Sequence, residues 1–172
     1  MRARAAKAKQ IMTKRLMLIG EAPGRPCGPR EFLVPSRSVT GTGSMTSADW
    51  LIRYTGLDLK DYFRLFGRRN VFSSPVVGPW RDRSARVAGA RLLREAERLG
   101  LDVVALGRRV AAALGLDRAD FLTRYGRGQG YPRTFPFCPA IFVVPHPSGR
   151  NRWYNIRSNR ERVKEFFKEL IL

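Results

Sequence analysis

The sequence predicts a three-layer α/β/α domain built on a central four-stranded parallel sheet. Three observations lead there: four short β-rich apolar segments recur along the chain, helical patterns separate them, and 172 residues at 44% hydrophobic content suffice for one core but not two. The strand segments are Arg15–Ile19, Asn70–Ser73, Asp102–Leu106 and Ile141–Pro145. Helical patterns cover Ser47–Tyr54 and Leu59–Phe66 before the second strand, Ser84–Leu99 before the third, Arg108–Leu114 after it, and Arg160–Ile171 after the fourth. Strands alternating with helices call for right-handed crossovers, hence a parallel sheet covered on both faces.

Residues 1–14 read as a basic N-terminal arm, rich in Ala, Lys and Arg and free of acids, and 15–172 as a single domain. In composition the arm is similar to an organellar transit peptide, but a phosphate-touching arm or a solvated tail fits better. No internal repeat or low-complexity linker interrupts the domain, and residues 126–133 (GRGQGYPR) read as a flexible basic loop.

Lys and Arg number 33 against 14 Asp and Glu, a formal charge of +19, and a field of that size attracts a polyanion. Nucleic acid is the expected partner. The longest apolar runs, Leu16–Ile19 and Ile141–Val144, are strand-sized, so no membrane association is expected. With only Cys27 and Cys138, the chain cannot supply four cysteines to a zinc or iron–sulfur site, and nothing suggests a disulfide-stapled scaffold. The expectation is an intracellular, cytoplasmic monomer that needs no cofactor or metal.

Ligands of such sheets gather at the carboxyl ends of the strands. Gly20-Glu21-Ala22-Pro23-Gly24 follows the first strand, Asn70-Val71-Phe72-Ser73-Ser74-Pro75 lies around the second, and His146-Pro147-Ser148-Gly149-Arg150-Asn151-Arg152 follows the fourth. The third strand ends in Gly107 and runs straight into a helix, which reads as structural. Alone, each motif has a plainer explanation: a Gly/Pro turn, a turn-capping Asn, a structural histidine.

Together, and in this order, the motifs resemble those of the uracil-DNA glycosylase superfamily over Leu16 to Leu172. The first is similar to the GEAPG loop of the thermostable iron–sulfur branch, without that branch's cluster cysteines. The last is similar to the HPS-type loop, with a GRNR continuation like that of the mismatch-specific and single-strand-selective branches. The resemblance implies a monofunctional DNA glycosylase that flips uracil or another altered pyrimidine out of DNA and hydrolyses its bond to the sugar.

The resemblance also implies roles. Asn70 would read the base, since an amide offers a carbonyl to N3–H and an amino group to O4. His146 would stabilise the charge on the departing base. Gly20, Ala22, Pro23 and Gly24 would form the close-approach turn around the base, and Phe32 is the candidate stacking wall, set against a plain core Phe. Ala22 stands where the commoner pattern carries a water-activating Asp or Asn, so water positioning falls to Glu21, His146 or backbone carbonyls. Gly24 replaces a bulky Tyr that would exclude 5-substituted pyrimidines. Ser148 and Gly149 would pinch the DNA backbone. Arg150, Asn151 and Arg152 would enter the duplex gap, the alternative being that Arg150 and Arg152 only contact phosphates. Trp50, Trp80 and Trp153 read as packing residues. The rival readings are a catalytically idle DNA-binding protein of the same fold, a glycosylase for a different modified base, and, more distantly, an unrelated basic nucleic-acid-binding protein.

Overall fold

The computed structural model describes residues 16–23, 35, 45–126, 139–148 and 150–171. The basic arm, Gly24, Phe32, Gly149, both cysteines and most of the 126–133 loop lie outside the described residues.

Five strands form one sheet: β1 (Leu16–Gly20), β2 (Phe66–Asn70), β3 (Asp102–Leu106), β4 (Thr123–Tyr125) and β5 (Ile141–Val144), in the order β2-β1-β3-β5-β4. β2, β1, β3 and β5 run parallel, as the alternating pattern requires. The expected four-stranded, wholly parallel sheet is corrected by β4, which pairs antiparallel with β5. Its three residues are too few to show a period-2 pattern.

The helices are α1 (Ser47–Thr55), α2 (Leu59–Leu65), α3 (Asp82–Leu99), α4 (Arg108–Ala113) and α5 (Arg157–Ile171). A capping box starts α1: the Thr46 hydroxyl accepts from Asp49 N, and Asp49 Oδ2 accepts from Thr46 N at 2.7 Å. Side-chain alternation divides the sheet into two faces. Leu16, Leu18, Phe66, Val104, Leu106, Phe142 and Val144 pack with α1, α2 and α5. Met17, Ile19, Val103, Ala105, Ile141 and Val143 pack with α3 and α4. The second layer is tight because Gly89 of α3 lies against α4: a Cβ there would stand 2.1 Å from the Ala113 carbonyl oxygen.

The second strand needs a correction. Asn70 was expected to open it; instead Asn70 closes it, and Phe66-Gly67-Arg68-Arg69-Asn70 is the strand. Two arginines broke the apolar pattern, and both are accommodated because β2 is a sheet edge. Arg69 turns to one face and donates from Nε to Glu95 of α3 at 3.0 Å. Arg68 turns to the other and lays its guanidinium over the Phe63 ring at 4.5 Å.

Candidate functional site

The three motifs, at the ends of β1, β2 and β5, converge on one end of the sheet because parallel strands deliver their carboxyl ends together. Gly20 pairs with Asn70 in the β1–β2 register, and the ladder runs on past both strand ends: Val71 N donates to Gly20 O at 2.9 Å and Phe72 N to Glu21 O at 3.0 Å. The GEAP segment and the Asn70 segment are therefore locked together.

Asn70 is 7% exposed, and among the described residues neither its Nδ2 nor its Oδ1 has a hydrogen-bond partner. Burying an amide this way costs about 1–3 kcal/mol. Nearly all buried polar groups avoid that cost, which sets this strand-end amide apart from the rest of the core. The only other orphaned buried side-chain atoms among the described residues are Nε and Nη1 of Arg68, two residues earlier on the same sheet face.

His146 lies two residues beyond Val144 of β5, at the same end of the sheet as Asn70. β5 is three strand spacings from β2, roughly 14 Å. Of the two strands between them, β1 ends in Gly20, whereas β3 ends in the buried Leu106, with Gly107 following it.

The His146 loop is held rigidly by its backbone. Gly107 N donates to Val144 O at 2.8 Å, the Tyr154 hydroxyl to Pro145 O at 2.8 Å, and Asn151 Nδ2 to His146 O at 2.9 Å. Asn151 N further bonds Ser148 O at 3.1 Å, and Asn151 Oδ1 caps the short 3-10 helix Arg152–Asn155 by accepting from Trp153 N. Tyr154 is itself clamped by stacking on Tyr54 of α1, with centroids 4.0 Å apart and rings 4° from parallel. Burial raises its phenol pKa, so Tyr154 remains a donor.

Burial lowers the pKa of His146, and the Glu21 carboxylate opposes that shift in part. The imidazole is thus neutral near pH 7 and has one N–H to give. Glu21 also faces Arg109 of α4, whose Nη1 lies 3.7 Å from its Oε2. Glu21 therefore stands between a cation and an imidazole.

Of the residues singled out in the sequence, Gly20 and Asn70 close their strands, and Glu21, Ala22, Pro23, His146, Ser148, Arg150, Asn151 and Arg152 fall on the segments that follow the strands at this end of the sheet. The side chain of Asn151 is engaged within its own loop, as a staple and a cap. Arg150 and Arg152 are exposed and have no acidic partner among the described residues. Four contributors escaped the sequence reading: Gly107, Arg109, Tyr154 and Arg68. Gly107 had a legible signal, a glycine at a strand end of a parallel sheet; the other three act through contacts that only the fold creates. Among the described residues no helix is long and apolar enough to cross a membrane, and no cluster of three or more His, Cys, Asp or Glu is placed to hold a metal ion.

No known protein-family model matches the chain, and no curated protein matches it in sequence.

Proposed function

We propose that the protein is a DNA base glycosylase: it takes an altered pyrimidine, uracil first among them, into the opening between Asn70 and His146 and hydrolyses its bond to deoxyribose. The observation that carries this reading is the buried Asn70 amide, whose donor and acceptor have no partner among the described residues, at the same end of the sheet as His146. A pyrimidine with adjacent carbonyl and N–H groups completes both of Asn70's missing bonds. A base inside a duplex cannot reach such a group, so it enters flipped out of the stack.

The chemistry then divides between the two ends of the opening. As the glycosidic bond breaks, negative charge gathers on the base and positive charge on the sugar. Neutral His146 donates its N–H to the charged oxygen of the leaving base, from a loop whose carbonyls are already tied down and need no rearrangement. Water then adds to the sugar carbon, its proton leaves to solvent, and an abasic site remains. Glu21 and the backbone carbonyls beside Ala22 are the groups available to orient that water. Arg150 and Arg152, exposed beside His146, supply phosphate contacts.

The test is a panel of end-labelled oligonucleotides, each with one candidate base, incubated with the protein and then treated with alkali. Strand scission at uracil or a 5-substituted uracil supports the reading. A second reading, a catalytically idle DNA-binding protein, draws on Ala22, which cannot activate water, and on the Arg109 cation beside Glu21. Scission at no base in the panel, with binding retained, favours it.

A further inference from the structure

The loop that follows Asn70 leaves a groove that the glycosylase reading does not use. Val71–Arg81 crosses to the start of α3 with Phe72 packed edge-on against Trp80, centroids 5.1 Å apart. One cleft of about 330 Å³ lies among Phe72, Pro75, Val77 and Arg81. A second, of about 400 Å³, lies between Phe72 and the α3 surface of Arg83, Val87 and Arg91. Phe72 and Ser84 line both, so the two clefts adjoin and together form an open groove with Phe72 at its middle.

Its walls combine two properties. Val77 is 75% exposed and Val87 52%, apolar surface left in water beside a partly exposed aromatic pair. Arg81, Arg83 and Arg91 have no acidic partner among the described residues, although arginines nearby are paired, Arg86 with Asp117 at 2.6 Å and Arg69 with Glu95. Arg83, Val87 and Arg91 are four residues apart on α3 and form one stripe about 12 Å long. The groove opens directly beyond Asn70, its first residues registered on β1 by the Val71 and Phe72 bonds.

We propose that this groove holds single-stranded DNA adjoining the target nucleotide, with bases against Phe72, Val77 and Val87 and phosphates on Arg81, Arg83 and Arg91. An apolar wall rimmed by cations suits a strand whose base faces are free to stack, whereas a duplex keeps those faces inside. An acidic peptide would satisfy the arginines but leave the apolar wall without purpose. The proposal rests on the glycosylase reading for the placement of the target base at Asn70, and it assigns that enzyme an unpaired substrate strand.

Fluorescence titrations of the full chain against a single strand and the matching duplex, over a range of salt, test it. The variants are Arg83→Gln/Arg91→Gln and Val77→Ser, all at exposed positions, with folding checked by circular dichroism and thermal melting. The double variant should weaken single-strand binding at least tenfold and reduce the log–log salt slope by about 1.4, close to 0.7 for each lost phosphate contact. Val77→Ser should weaken it with the slope unchanged, and duplex binding should hold in both. Unchanged single-strand affinity, equal losses on single strand and duplex, or competition by polyglutamate as strong as by single-stranded DNA would overturn the groove. If the parent cleaves no base while these variants still lose single-strand binding selectively, the groove stands and the glycosylase reading falls. Cleavage by the parent with variants that bind single strands like the parent gives the reverse.

Discussion

A Cβ added to Gly107 would stand 3.1 Å from the Cβ of His146, and Gly107 holds φ at +100°, where side chains are strained. The end of β3, which looks merely structural in the sequence, therefore fixes how closely the His146 loop approaches the sheet. Gly107→Ala should strain the backbone and shift that loop by a few tenths of an ångström, enough to slow a reaction that depends on the placement of His146. Single-turnover cleavage and DNA affinity, measured together, check this: the rate should fall and affinity should hold. Parent-like rates would show that the glycine has no bearing on His146.

The orphaned amide gives a prediction of opposite sign for stability and activity. Asn70→Leu removes a buried unsatisfied group and should raise stability by about 1–2 kcal/mol while abolishing base removal. Denaturant melts decide it, and a loss of stability on Asn70→Leu would mean that the amide is satisfied in the folded protein.

The fold was legible in the sequence where burial is complete, and the failures have physical causes. β1 and β5 are buried throughout and β3 from Val103 onward, and all three read as strands within a residue of their bounds. β2 did not, because an edge strand carries arginines that Glu95 and Phe63 accommodate from outside the strand. At the site, Asn70, Glu21 and His146 were legible because strand ends in a parallel sheet meet by topology. Arg109 and Tyr154 were not, since the Glu21 ion pair and the Pro145 hydrogen bond join residues that no local pattern relates.

His146 makes acid stability a test of its burial. Its pKa is lowered in the folded protein, mainly by desolvation, so below about pH 6.5 the unfolded chain binds a proton that the folded one does not. That contribution is intact above pH 6.5 and is lost as pH falls towards the folded value. Thermal melts of parent and His146→Gln should therefore converge in acid, with the parent losing more stability than the variant. Parallel losses would show that the imidazole titrates alike in both states.

Tyr154 supports the same loop from beneath. Tyr154→Phe keeps the stack on Tyr54 but leaves the Pro145 carbonyl without its donor, at about 1–2 kcal/mol. Chemical melts should record that loss, and cleavage should slow with no change in the salt dependence of binding. A variant as stable as the parent would mean that water replaces the hydroxyl at no cost.

The central claim is that a base leaves from between Asn70 and His146, with neutral His146 stabilising the negative charge on it by a hydrogen bond. Single-turnover cleavage of a uracil-containing oligonucleotide by parent and His146→Ala, alongside binding to abasic-site DNA, tests it most directly. Removing one such donor should slow cleavage about a hundred- to a thousandfold while abasic-site binding stays near the parent's, because the phosphate contacts remain. Cleavage by His146→Ala at the parent rate would contradict the account.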